Sequence, residues 1–248
     1  MDIKDLFPEH EQPLDRLLDD GGFCGIFRTI ACVGDSLSSG EFEFYDEENK
    51  RRYIDAYDYS WGQYMARTIG SKVYNFSEGG MTAKRYIDSY ADNNDCWNPD
   101  KACQAYIIAL GANDLYSGRF SKEEFCQYYS AIVQKYKEIQ PDARFFFVTL
   151  LKGEAFKGDQ TADVHAEMLY EIAEKFTNCY VMDFRKYGPV QDKEYMDKFY
   201  LTGHLNPCGY ILTAKMIMSY MDYIIRHNMD DFKFVGMIGR DMSEVKYG

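Results

Sequence analysis

The sequence predicts an α/β fold, a parallel sheet with helices on both faces, and three observations predict it. Five short apolar runs, at residues 28–34, 72–76, 104–111, 143–151 and 178–184, alternate with segments of helical period. The runs are short and largely apolar, as buried parallel strands are. Helix start and stop signals stand between them, so each pair of strands is joined by a crossover helix. Five strands in this rhythm suggest a flavodoxin-like sheet.

The first run breaks at "CVGDSLSSG", residues 32–40, where a glycine is followed at once by an acid and two hydroxyl residues. The next helix is "SWGQYMARTIG", opened by Ser60 with Gln63 three residues on and closed by Gly70. Ser121 and Glu124 repeat that device, and Phe125, Tyr128, Ile132, Tyr136 and Ile139 fall on one face of a helix that stops at Pro141. Val164, Met168, Ile172 and Phe176 mark another helix over 163–176. The last long helix starts at Asn206 as cap with Pro207 in its first position. Residues 41–58 and 185–200 interrupt the rhythm with charge and tyrosine. Both leave carboxyl ends of strands, where open α/β sheets bind ligands, and are candidate substrate loops.

No repeat, low-complexity tract or long linker divides the 248 residues, so one domain spans 1–248, with an N-terminal arm over 1–27 and a C-terminal strap over 228–248. A hydrophobic content of 46% is enough for a sizeable core. With 40 acids against 28 bases and a net charge of −12, the chain lacks the phosphate-neutralising surface that a nucleic acid or an anionic membrane requires. No stretch reaches transmembrane length. The acidic start, "MDIKDLFPEHEQPLD", is unlike a secretory leader and leaves a cytoplasmic protein as the expectation. Seven scattered cysteines without a C-x-x-C pair read as free thiols, not a disulfide framework or zinc knuckle.

Four motifs fall at strand ends: Gly34-Asp35-Ser36-Leu37, "NFSEGGMT" with Gly79 and Gly80, "GAND" with Asn113, and "GHLN" with His204. Singly, each is ordinary turn chemistry. Together they supply what attack on an acyl carbon needs: a hydroxyl nucleophile, a base, and donors aimed at the oxygen that becomes negative. Ser36 is the candidate nucleophile and His204 the candidate base. The N–H groups of Ser36 and Gly80 and the amide of Asn113 are the candidate oxyanion hole.

This ordered set resembles the SGNH, or GDSL, hydrolases, a family of esterases and lipases, from about residue 28 to 226. The resemblance implies an α/β/α sandwich on a five-stranded parallel sheet, the roles just named for Ser36, Gly80, Asn113 and His204, and neither a metal nor an organic cofactor. The expected partner is a small-molecule ester. The acidic, tyrosine-bearing loops suit a neutral, hydroxyl-rich substrate such as an acetylated sugar, so the expected reaction removes a short acyl group, acetyl on a carbohydrate being the example, from an acylated carbohydrate.

One position departs from the family pattern. Leu201 stands three residues before His204, where an aspartate usually orients the imidazole. The orienting group is then expected from a carbonyl near residues 200–202, or from Asp197, Glu194 or Asp192, the acids nearest in sequence. The alternative is a non-catalytic binding or regulatory protein that kept the fold after losing the acid. A phosphate or nucleotide binder using "SEGG" ranks last, for want of the Gly-Lys-Ser/Thr set and the dinucleotide fingerprint. His165 and His227 read as surface or cap histidines, Asp183 as a turn acceptor, and Met216, Met218 and Met221 as core. In the tail, Phe232, Phe234, Val235 and Ile238 are expected to strap back onto the domain.

Overall fold

The apolar run after the arm folds as strand β1, Thr29–Gly34, whose residues from Ile30 onward are buried. In this computed structural model, which describes residues 7–8, 10–116, 121–153, 159–241, 243 and 246, the other strands are β2 (Glu41–Tyr45), β3 (Arg51–Asp55), β4 (Lys72–Ser77), β5 (Ala105–Ala109), β6 (Arg144–Val148) and β7 (Cys179–Met182). The main sheet is parallel with order β4-β1-β5-β6-β7, the flavodoxin-like order that the apolar rhythm suggested. The chain leaves β1 first to one side and then to the other, so β1 marks the switch point where such sheets open a crevice.

Alternate side chains feed two cores, one on each face. Cys32, Ile107 and Phe146 point into one with Trp61, Met65, Met218 and Ile225. Val33, Ile108, Phe145 and Phe147 point into the other with Tyr129, Ile132 and Ile172. The covering helices begin where their caps are. Ser60 accepts from Gln63 N ahead of Trp61–Ile69, Ser121 from Glu124 N ahead of Lys122–Ile139, and Asn206 from Gly209 N ahead of Pro207–His227. A further helix spans Asp159–Lys175 and starts four residues before the expected 163.

Two expectations change. Residues 41–58 are not an irregular loop: β2 and β3 pair as an antiparallel hairpin, Glu43 opposite Tyr53. EFEFY has the period of two that a strand with one covered face shows, whereas RRYID does not alternate and is exposed along its length. His165 is no surface histidine. It is fully buried, with Nε2 2.9 Å from Leu110 O, and burial lowers its pKa to about 4, so the ring is neutral. In the tail, Phe232, Val235 and Ile238 are buried, whereas Phe234 is exposed. All seven cysteines are free thiols. Among the described residues no helix is long and apolar enough to cross a membrane.

Candidate active site

Register alone brings three of the four motifs together. Gly34 at the end of β1 lies opposite Ser77 of β4 and Ala109 of β5, so the segments after these strands leave the sheet side by side. Ser36 starts the single-turn helix α1 (Ser36–Ser39), with Asp35 as its N-cap accepting from Leu37 N at 3.0 Å and Gly40 left-handed at its end. Gly34 must be glycine because a Cβ there would lie 2.6 Å from Ser38 Cβ. Ser36 lines a cleft of about 810 Å³ together with Gly80, Asn113 and His204. The four predicted residues therefore share one cavity.

As the first residue of α1, Ser36 has no intrahelical partner for its N–H. Gly80, which lines the cleft, takes a left-handed φ of 68°, and nothing lies within 4 Å of where a Cβ would be. Asn113 is held differently from the expectation. Its Nδ2 donates to Asp35 Oδ2 at 3.2 Å and to Met81 O at 3.1 Å, so both amide protons are engaged.

His204 sits in the short loop 200–205, where Leu201 N donates to His204 O at 3.0 Å and Tyr200 bridges Leu205. Its orienting acid is Glu43, and none of the candidates near it in sequence. Glu43 Oε2 lies 2.6 Å from His204 Nδ1, with Glu43 only 2% exposed. Asp197 pairs instead with Lys193, Glu194 with Lys198, and Asp192 caps residues Lys193–Phe199, while Leu201 is 50% exposed. The carbonyls of residues 200–202 make no hydrogen bond to the imidazole. Gly203 leaves room for the acid, since a Cβ there would lie 2.7 Å from Glu43 Oε2. Arg51 Nε stands 2.7 Å from Glu43 Oε1, close enough for charge pairing but without hydrogen-bond alignment. The alternation in EFEFY was the available signal, because it places Glu41 and Glu43 on one face of a strand.

Glu41 takes the other side of the ring, its Oε1 3.1 Å from His204 Nε2. Burial raises its pKa, with His204 opposing. No hydrogen bond joins Ser36 to His204 among the described residues. Tyr53 packs edge-on against the imidazole, with centroids 5.9 Å apart. The charged side chains of the lining are mostly acidic, Asp55 and Glu78 joining Glu41, Glu43 and Asp35 against Arg51. Among the described residues no group of three or more His, Cys, Asp and Glu is arranged to hold a metal ion.

Asp35 shows what burial does to a carboxyl at this turn: desolvation raises its pKa from 3.8 to about 7, against the hydrogen bond from Leu37 N. A carboxyl raised on folding contributes stability that is complete below its unfolded pKa and lost as pH rises through the folded one. His165 works in the opposite sense, so the readout is a difference. The Tm of Asp35→Asn relative to wild type is expected to climb between about pH 4 and pH 7. A flat difference across that window would show that Asp35 ionises as it does in water.

The sequence matches the family model for the GDSL-like lipase/acylhydrolase family over residues 32–212. No curated protein matches it significantly. Solved structures share its fold. A family two carbohydrate esterase from Clostridium thermocellum, in complex with cellohexaose, is 16% identical with a TM-score of 0.62, over 82% of this chain and 65% of that one. A carbohydrate esterase family 2 enzyme plus carbohydrate-binding domain from Corynascus thermopiles (Myceliophthora fergusii) gives 14%, 0.64, 81% and 67%. The psychrotrophic esterase EstA from Pseudoalteromonas sp. gives 16%, 0.52, 80% and 98%. The chain thus spans about two thirds of the length of those two carbohydrate esterases and nearly all of EstA. Because the matched segment runs from the turn that displays Ser36 to the helix that follows His204, and covers most of the chain, the protein belongs to the GDSL-like lipase/acylhydrolase family of ester-bond hydrolases.

Proposed function

We propose that the protein is a serine esterase that removes a short acyl group from an uncharged, hydroxyl-rich alcohol, such as an acylated carbohydrate, through an acyl-enzyme on Ser36. The observation that carries this reading is His204 held at Nδ1 by Glu43, 2.6 Å away, in the cleft that Ser36 lines. With Nδ1–H donated to a carboxylate, the free lone pair of the ring is on Nε2, as a general base requires. Glu41 gives way when substrate enters, and Nε2 then accepts the Ser36 proton. Ser36 Oγ attacks the acyl carbon, and the C–O bond to the alcohol breaks as His204 returns the proton to the leaving oxygen. Water, deprotonated by His204, cleaves the acyl-enzyme and regenerates Ser36. The N–H groups of Ser36 and Gly80 hold the oxyanion, joined by Asn113 once its amide turns from Asp35.

The acidic lining repels anionic substrates, and the exposed rings of Tyr53 and Tyr116 offer faces for sugar rings. The carbohydrate esterases that share the fold support the same substrate class. The non-catalytic alternative was motivated by Leu201, and Glu43 at Nδ1 removes that motive. A fluorophosphonate probe is expected to label wild-type protein stoichiometrically and to leave Ser36→Ala unlabelled. Equal labelling of the two would remove Ser36 from the nucleophile's role.

A further inference from the structure

A second, smaller chamber of about 90 Å³ adjoins the cleft and shares Asp35, Leu37, Ala112, Gln191 and Tyr200 with it. The rest of its wall is largely apolar, including Trp61, Leu151, Phe184, Leu205, Met216 and Ile217. A volume of about 90 Å³ holds roughly six water-sized groups, the heavy atoms of a short acyl chain. Two polar atoms of its lining residues are buried without a partner: Gln191 Oε1 and the Tyr195 hydroxyl. The other end of the Gln191 amide is satisfied, Nε2 donating to Tyr200 Oη at 2.7 Å. A buried polar group left unpaired costs stability, so such groups are retained where a bound molecule completes them.

We infer that this chamber is the acyl site of the esterase, and that it takes a chain longer than acetyl carrying a hydroxyl group. The apolar wall accepts methylene groups, which gain by leaving water. Gln191 Oε1 can only accept, so it calls for a donor, whereas the Tyr195 hydroxyl can give or take. Gln191 lines both spaces and Tyr195 only the chamber, so a chain entering past Leu37 and Tyr200 meets Gln191 first and Tyr195 deeper in. A hydroxyl meets either demand, while an unsubstituted alkyl chain leaves both atoms as they are. This inference rests on the proposed esterase reading and specifies its acyl group.

The test compares p-nitrophenyl esters of acetic, butyric, hexanoic and 6-hydroxyhexanoic acid on wild type, Tyr195→Phe and Leu151→Trp, with Ser36→Ala as background. For wild type, kcat/KM is expected to rise at least tenfold from acetate to hexanoate and several-fold again with the 6-hydroxyl. Tyr195→Phe, whose lost hydroxyl has no partner in the free protein, should erase the hydroxyl preference and keep the hexanoate rate. Leu151→Trp should reverse the chain-length preference while acetate turnover stays within threefold. An enzyme active on acetate with a flat or falling chain-length profile would overturn the acyl-site inference and leave the esterase reading standing. If no ester is turned over, the esterase reading fails, and calorimetry with 6-hydroxyhexanamide still decides the chamber. Binding to wild type that Leu151→Trp abolishes supports the chamber as a site for hydroxylated chains, and no binding overturns it.

Discussion

Glu43→Gln is expected to lower kcat/KM on the order of a thousandfold, mostly in kcat, with little change in Tm. Glutamine keeps the shape of the side chain, and its carbonyl can still accept from Nδ1. It loses the charge that stabilises the imidazolium formed when Ser36 gives up its proton. Its NH2 can also donate to Nδ1, which would move the ring proton to Nε2 and block the base. The carboxylate is 2% exposed, so little water screens its contact with the ring, and the loss falls at full strength on the transition state. Glu43→Asp, one methylene shorter, should recover part of the rate, and Asp197→Asn, on an acid paired with exposed Lys193, should change nothing. Glu43→Gln within threefold of wild type would show that His204 needs no carboxylate from the hairpin.

The same residue marks where sequence reading ends. The five strands of the main sheet were legible because each is a short, largely apolar run, buried along most of its length in β1, β5 and β6 and partly buried at the edges in β4 and β7, which is a local signal. Ser36, Gly80 and Asn113 were legible because each stands in a short motif at a strand end, where register puts those ends together, and His204 because its motif stands just ahead of the Asn206 cap of the last long helix. Glu43 is separated from His204 by 161 positions, and only the folding of the hairpin over the cleft joins them. Nearness along the chain pointed instead to Asp192, Glu194 and Asp197, which a short helix turns toward its own lysines and its own N-terminus. The engaged amide of Asn113 was equally hidden, since its acceptors, Asp35 and Met81, come from two other segments. His165 misled for a related reason: one position from the apolar face marked by Val164, Met168 and Ile172, it reads as an edge residue until "GAND" is folded over it.

That contact sets the second large effect. Gly111→Ala is expected to destabilise the protein by about 3 kcal/mol or more and to reduce turnover in whatever remains folded. Gly111 has φ 132°, a conformation that an L side chain resists, and an added Cβ would overlap the His165 ring at Nε2 and Cδ2. The ring cannot step aside easily, because it is fully buried, packs edge-on against Phe125 at 5.5 Å and is tied by Nε2 to Leu110 O. Either the ring leaves that carbonyl unpaired or the turn shifts, and the turn carries Asn113 two residues on. Urea titrations of Gly111→Ala, His165→Ala and the double variant separate these causes. Removing the ring takes away the overlap and leaves only the backbone strain, so the double variant is expected to be more stable than the sum of the single losses allows. Strict additivity would mean that Gly111 and His165 do not meet, and that the glycine is required by its backbone angle alone.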